Sequence, residues 1–465
     1  MMRLPRLLSS WRGNRRAEPP AQTRSFDAQS GRRFGARANY ASHGPETQAA
    51  GPTIRARARH AYANNGYIRN GVNAIVAEAV GAGIEATSAH PDLTIRAEID
   101  SAFLDAAARI DAEGRTDLRG LMSAAVQAEI VDGEAFFILE DRGGRAVLRQ
   151  LPAEFVDESM TTELSGGGYI VAGIEFSALG ERVAFHIRPA RPTDLFPTAR
   201  EAIRVPAEDV LHIFRPLGPG QVRGVSQLAS ILLTVNEFDQ LQDALLVGAK
   251  VAAMHTGFVT DVNNLGGAGE GFSDADALGD ISLEPGTMRV LPGGLDVKFN
   301  TPEQAKDGIS FAKLTLGQIA AGLGVPQHLV DGDLTGANYS SLRAGLLPFR
   351  AKVEQFVYHT LVPQFLDPVF RRVITDEYLA GRLELPDLTP ALRVEWLAPR
   401  PMQVDPAKDA QAVRELLSMG LTSRRQAVAS LGWNVDRLDA EIAADRERER
   451  ALGLNFTDKE SSDDE

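Results

Sequence analysis

Residues 226 to about 255 contain no proline, and Leu228, Ile231, Val235, Phe238, Leu241, Leu245, Ala249 and Ala252 recur three or four residues apart. That spacing draws one apolar stripe along a helix. At about 1.5 Å per residue the helix would be roughly 45 Å long, more than an ordinary globular packing needs. Gln227, Thr234, Glu237, Gln240, Asp243 and Lys250 keep its other faces polar, so the segment reads as a strut. A second striped helix is predicted from Ile309 through Ala312, Leu316, Ile319 and Leu323, stopped by Pro326. The intervening stretch is glycine-rich at residues 266–271, with short β-like pieces at 286–294 and 297–299. The chain goes out, makes a small excursion and returns.

The segments around this hairpin divide by period. Residues 1–52 are rich in Arg, Ala, Gly, Ser and Pro without periodicity, which predicts a flexible basic arm. Helical patterns follow at 53–80, 93–110 and 117–130. The period then changes to two: residues 134–140 and 145–151 flank Asp141-Arg-Gly-Gly144, a hairpin signal. A second hairpin is expected from residues 169–176 and 182–187, and a strand at 210–214. This is an α+β lobe. Beyond the hairpin come a small polar loop, residues 331–341, and a long apolar helix from 342 to about 370 that Pro348, Pro363 and Pro368 should kink. Residues 396–406 read as an extended linker. Three short helices follow, the first two ended by Gly420 and Gly432, before an acidic tail at 454–465.

Composition excludes several function classes. No apolar run approaches the roughly 20 residues that span a bilayer, and residues 1–16 lack the apolar core of a secretory signal, so no membrane role is expected. Zero cysteines remove disulfides and thiolate metal sites. A net charge of −13 argues against gripping nucleic acid through a broad basic face, though not against passing it along.

Candidate sites of chemistry are few. The strand at 210–214, the turn from Gly218 to Gly224 and the helix behind it give strand, glycine-rich turn, helix, the arrangement that binds pyrophosphate. The spacing is not G-x-G-x-x-G, Pro219 removes an N–H, and no acidic residue ends a strand about 20 residues on. Ser226 with His212 and Asp209 does not form G-x-S-x-G. Asp331 and Asp333 could ligate a cation, but the EF-hand series breaks at Thr335. The histidines show no H-x-x-x-H pair. No catalytic set, metal centre or cofactor site is expected.

The chain resembles the lambda-type portal proteins of tailed bacteriophages and prophages. The likeness rests on residues 55–69 with Asn64-Asn65, on His212-Ile-Phe followed by Pro219-Gly-Gln-Val-Arg-Gly-Val225, and on the helix at 243–250. It continues through residues 283–286 and 291–293 and Ile319-Ala-Ala-Gly-Leu-Gly-Val-Pro326. The most specific segments are Gly332-Asp-Leu-Thr-Gly-Ala-Asn-Tyr-Ser-Ser-Leu-Arg343 and residues 396–406. Ser226 stands where proline is common, and Leu342 where alanine is usual.

The resemblance implies a subunit of a ring, typically of twelve copies, at one capsid vertex, through which double-stranded DNA is packaged and ejected. It divides the chain into a wing (53–225), a stem helix (226–256), a clip (257–307) and a second stem helix (308–330). The tunnel loop (331–341), a kinked helix returning to the wing (342–395) and a crown (396–453) follow. Implied partners are further copies of the chain, the large terminase that drives packaging, a head-tail adaptor, and the major capsid or scaffolding protein. The implied location is the virion, with the host cytoplasm during assembly. Expected channel residues are Asp331, Asp333, Thr335, Asn338, Tyr339, Ser340 and Arg343; expected subunit contacts on the stem are Leu228, Val235, Phe238 and Leu245. For Arg343 an ion pair and a phosphate contact remain equally open. The opposing reading is a nucleotide-binding enzyme using the turn from Gly218 to Gly224.

Overall fold

The computed structural model describes residues 42–189, 201–254, 258–261, 295–298, 304–336, 338–399 and 406–454. Its first element, helix α1 (His43–Asn64), begins nine residues before the expected end of the arm. Pro52 lies inside it, and the Gly, Ala and Pro content hid the helix; buried Ala50, Ile54 and Ala58 on one face hold it in place. Asn65 separates α1 from α2 (Gly66–Val80): its side chain caps α2 by accepting from the Ile68 N–H at 3.0 Å. Strand β1 (Glu85–Ser88) leads to α3 (Leu93–Ala107) and α4 (Leu118–Val131), capped by Asp92 and Asp117.

The period-two segments form two sheets. In the first, β2 (Glu134–Asp141) is the centre, paired antiparallel with β3 (Ala146–Leu151) and, from the far side, with β9 (Val210–Phe214). Alternation along β2 feeds two cores. Ala135, Phe137 and Leu139 join the large helical core, whereas Phe136 joins a smaller one with Leu151, Val156, Ile174, Phe185 and Val210. Burying each phenylalanine contributes about 2 kcal/mol, so this strand ties the two cores together. The second sheet is an antiparallel run of β4 (Thr162–Glu163), β5 (Tyr169–Val171), β6 (Ile174–Phe176), β7 (Arg182–Ile187) and β8 (Ile203–Pro206). Residues 169–176 are thus two strands, not one. Ala172 and Gly173, with φ of 49° and 81°, make the tight turn between them.

The predicted strut is broken at its start. Ser226 caps a short 3₁₀ turn, Gln227–Ser230, and helix α5 (Leu232–Met254) begins after it. A two-stranded piece, β10 (Phe258–Asp261) with β11 (Leu295–Lys298), precedes the returning helix α6 (Gln304–Leu323). The glycine-rich stretch 266–271 and the piece at 286–294 lie outside the described residues. Helix α6 is approached closely at two glycines, by Ile231 just before α5 and by Leu245 within it. A Cβ on Gly322 would fall 2.1 Å from Ile231 Cγ2, and one on Gly308 would fall 2.7 Å from Leu245 Cδ2.

After the short α7 (His328–Asp331), α8 (Tyr339–Phe356) runs into a π-helical segment, Val357–Leu366, and then α9 (Asp367–Leu379). Pro348 sits within α8, Pro363 within the π segment and Pro368 at the second residue of α9. The short α10 (Leu388–Ala391) precedes a finding that overturns the linker expectation. Residues 394–397 form strand β12 (Val394–Leu397), paired with β1, and Trp396 is buried, its indole N–H donating to Asp367 at 2.7 Å. Only the latter part of that linker, residues 400–405, lies outside the described chain. Helices α11 (Pro406–Ser418), α12 (Arg424–Ala429) and α13 (Val435–Leu452) close the fold, with Gly420 and Gly432 at positive φ. No described helix is long and apolar enough to cross a membrane.

Candidate functional site

The turn from Gly218 to Gly224 is occupied by the protein itself. The Gly224 N–H donates to Glu134 Oε2 at 2.8 Å, and Arg223 donates to the same carboxylate through Nε at 3.0 Å and a terminal nitrogen at 2.7 Å. Arg55 reaches Glu134 from α1 at 3.2 Å, and the His212 ring from β9 at 3.0 Å. Arg223 also donates to the carbonyls of Ala153, Val156 and Ala172 and to Glu158 Oε1 at 3.2 Å, a carboxylate that pairs with Arg55 as well, so one guanidinium ties several segments to β2. The backbones cross where only glycine fits: a Cβ on Gly133 would lie 2.2 Å from the Val225 carbonyl carbon, and one on Gly224 would lie 2.1 Å from the Gly133 oxygen. The Gly224 N–H and the Arg223 guanidinium are spent on Glu134 rather than open to a phosphate, and nothing in the turn supports the nucleotide reading. The hydrolase grouping is also dispersed, since Ser226 Oγ donates to the Ile130 carbonyl and Asp209 pairs with Arg372.

Charge in this node is set by burial and pairing. Burial alone would raise the Glu134 carboxyl, but the Arg223 guanidinium and the His212 and Arg223 hydrogen bonds hold it well below the usual carboxylate range. Burial pushes His212 down to about 4. Its Nε2–H faces the Glu134 carboxylate while Nδ1 lies 3.3 Å from Arg182, so the neutral ring is satisfied on both sides. Beside this node, burial pushes the Glu129 carboxyl up against the opposing pull of Arg215 and Gln227.

The polar loop lies at the other end of α6. Helix α7 ends on Gly332 in the left-handed region at φ 71°, and α8 begins at Tyr339, so the connector is shorter than expected. Tyr339 and Ser340 belong to the helix because Asn338 and Ser341 form a capping box: Asn338 Oδ1 accepts the Ser341 N–H, and Ser341 Oγ accepts the Asn338 N–H, both at 2.9 Å. Asp331 accepts from the Asp333 N–H and the Gln327 side chain, each at 2.9 Å. Asp333 in turn accepts from Thr335 and from Lys313 of α6 at 2.8 Å. The Lys313 hydrogen bond, with those of Thr335, holds the Asp333 carboxyl well below its ordinary range. Both carboxylates are thus spent on shaping the loop. Among the described residues no group of three or more acids or histidines could hold a metal ion. Asn70 of α2 fixes the base of the loop by donating to the Leu329 and Val330 carbonyls. Arg343, one turn into α8, pairs with Asp409 of α11 at 3.4 Å.

Three of the four stem contacts expected from the sequence are already covered within one chain. Leu228, Val235 and Phe238 are buried inside the single chain, Phe238 edge-on to Tyr67 at 5.7 Å, and Leu245 lies against Gly308 of α6. From Leu228 to Phe238 the apolar stripe is covered by the chain's own α1, α2 and α6. The side chains left uncovered are others: Leu246 and Val247 on α5, and Phe311 and Leu314 on α6, are each more than half exposed. Sequence reasoning missed them because they lie off the stripe. It missed the Glu134 node because a lone acid at the start of a strand carries no signal.

Residues 29–356 match the family profile described as phage portal protein, lambda family. A probable portal protein of Halomonas phage phiHAP-1 is 26% identical over 429 residues, covering 86% of this chain and 81% of that protein. Portal protein B of Escherichia phage lambda is 24% identical over 273 residues, 52% of this chain and 51% of its own. Among solved structures, a chain from the neck of a native gene transfer agent particle, computed with C12 symmetry, aligns over 84% of this chain and 94% of its own. It is 17% identical, with a TM-score of 0.47.

Proposed function

This chain belongs to the lambda family of phage portal proteins, and from that premise we propose that it assembles as a ring, of twelve copies, at one capsid vertex and conducts double-stranded DNA in packaging and ejection. The family match over residues 29–356 carries the proposal. In this reading α5 and α6 are the stem, β10 and β11 the base of the clip, the β-rich lobe with α1 to α4 the wing, and α11 to α13 the crown. The loop from Gly332 to Asn338, with Asp331 and Arg343 at its ends, lines the channel.

Two features support that reading. Leu246, Val247, Phe311 and Leu314 are uncovered on one helical pair, and a second copy of the chain would cover them. The net charge of −13 per copy makes the ring as a whole repel phosphate, which suits passing DNA along rather than gripping it. The large terminase, a head-tail adaptor and the capsid or scaffolding protein are the partners such a ring requires, and the virion is its location. The channel function needs no chemistry of its own, consistent with a family whose members are structural.

Electron microscopy of the purified protein tests the assembly. Rings with a central hole are expected. A monodisperse monomer at micromolar concentration would sink the proposal.

A further inference from the structure

The turn between β6 and β7 holds an apolar side chain out in water: Leu179 is 88% exposed. The turn itself is closely bonded. Ser177 Oγ accepts the Leu179 and Glu181 N–H groups, each at 3.2 Å, and the Gly180 N–H donates to the Ser177 carbonyl at 2.9 Å. Gly180, at φ 85°, makes the reversal. At the far end of β7, Ile187 pairs with Ile203 of β8, and both line a cleft of 1020 Å³ between α4 and strands β3 and β8. At about 3.3 Å per residue the length of β7 keeps tip and cleft roughly 17 Å apart. Within the cleft Ile138, Phe155 and Val205 are half-buried and Ile203 is 56% exposed. Every charged side chain of its described lining is already satisfied. Arg59 pairs with Asp132 and Glu154, Arg149 with Glu140, Arg115 with Glu113 and Arg188 with Asp157. Asp111 accepts the Glu113, Arg115 and Thr116 N–H groups. With its charges spent on one another, the cleft offers an apolar interior inside a neutral polar rim, and it suits an uncharged apolar occupant.

The tip Ser177-Ala178-Leu179-Gly180 has that chemistry, with one large apolar side chain, small neighbours and no charge. It cannot enter the cleft of its own subunit, because β7 holds the two apart. A knob and its socket at opposite ends of one lobe can meet only between copies, head to tail, the kind of contact that closes into a ring when the rotation per copy divides a full turn. We propose that Leu179 of one copy seats in the cleft of the next, against Ile203 and Val205. The contact rests on the ring reading given above. It adds a seam between neighbouring wings to the one at the stem helices, and it removes from water the apolar surface that each lobe leaves open at both ends.

Two measurements test this. Because the chain has no cysteine, a Leu179→Cys, Ile203→Cys variant reports on this contact alone. Within one subunit the two positions are too far apart for a disulfide, which needs Cα atoms within about 7 Å. Oxidation of the assembled variant should therefore give a ladder of covalently joined subunits on a non-reducing gel, and neither single variant should go beyond dimers. Leu179→Asp, at an exposed tip, should leave the circular dichroism of the subunit unchanged. It should raise at least tenfold the concentration at which half the chain is in rings, read by native mass spectrometry. Rings in the parent with both thiols free in the paired variant, or an unchanged midpoint in the aspartate variant, would overturn the contact and leave the ring standing. A parent that forms no rings would overturn both.

Discussion

Gly224 donates its N–H to Glu134 Oε2 at 2.8 Å across 90 residues of chain, at the point where two backbone segments cross. The turn is built around a buried anion of the protein's own. That relationship explains why an Arg-Gly pair follows the turn: the arginine neutralises the carboxylate and the glycine lets the second strand approach it.

Removing the carboxylate should therefore cost more than removing one hydrogen bond. Glu134→Ala leaves Arg223 and Arg55 buried without their central counter-charge, which typically costs about 3–5 kcal/mol. The urea midpoint of the variant should drop accordingly. Glu134→Ala combined with Arg223→Met should cost less than the two single changes added together. Additive losses would show that the groups act independently.

Acid should weaken the fold through His212. An unfolded histidine takes its proton near pH 6.5, whereas this one, enclosed by the Phe136 and Phe214 rings, Glu134 and Arg182, takes it only near 4. Between those values the unfolded chain binds more protons, so stability is full above pH 6.5 and falls as the pH drops toward 4. The slope is about 1.4 kcal/mol per pH unit, or roughly 2 kcal/mol from pH 6.5 to 5. Urea midpoints at the two pH values measure it. His212→Gln should flatten the difference relative to the parent, a comparison that cancels the opposing contribution of Glu129.

The two kinds of apolar residue on the stem helices should fail differently. Phe238→Asp puts a charge into the chain's own core and should abolish folding, read as lost circular dichroism. Leu246→Asp with Val247→Asp should leave folded subunits and remove rings, read by native mass spectrometry. Intact rings in the double variant would move the subunit contact elsewhere.

Much of this architecture was legible in the sequence, for physical reasons that differ by element. The α5–α6 pair, the β2–β3 hairpin and the glycine-ended helices of the last segment follow from period and turn chemistry. The paired asparagines at 64 and 65 mark a real junction, where Asn65 caps one helix and donates to Asp239 of another at 2.7 Å. Strand β12 was hidden because four residues flanked by Ala398 and Pro399 offer too short a pattern, and its partner β1 lies some 300 residues away. From Leu228 to Phe238 the stem stripe is dry under the chain's own helices: periodicity tells which face is dry and says nothing about whose atoms dry it.

The loop between α7 and α8 is exposed along its described length and held at both ends. Its residues 332–336 are exposed, yet its ends are fixed, by Asn70 at one side and by the Asn338–Ser341 capping box at the other. Between them Lys313 holds Asp333 through a solvent-exposed ion pair, a contact weak enough to exchange. A segment with fixed ends and a replaceable central tether can yield to a passing polymer without disturbing the helices that carry it. Deleting Gly336 and Ala337 should therefore leave ring yield unchanged while reducing packaged or retained DNA. Replacing Lys313 with alanine should act in the same direction and more weakly, since the capping box survives. DNA content per purified particle, measured beside ring yield, decides between a channel element and a connector: normal DNA content in the shortened variant leaves only the connector.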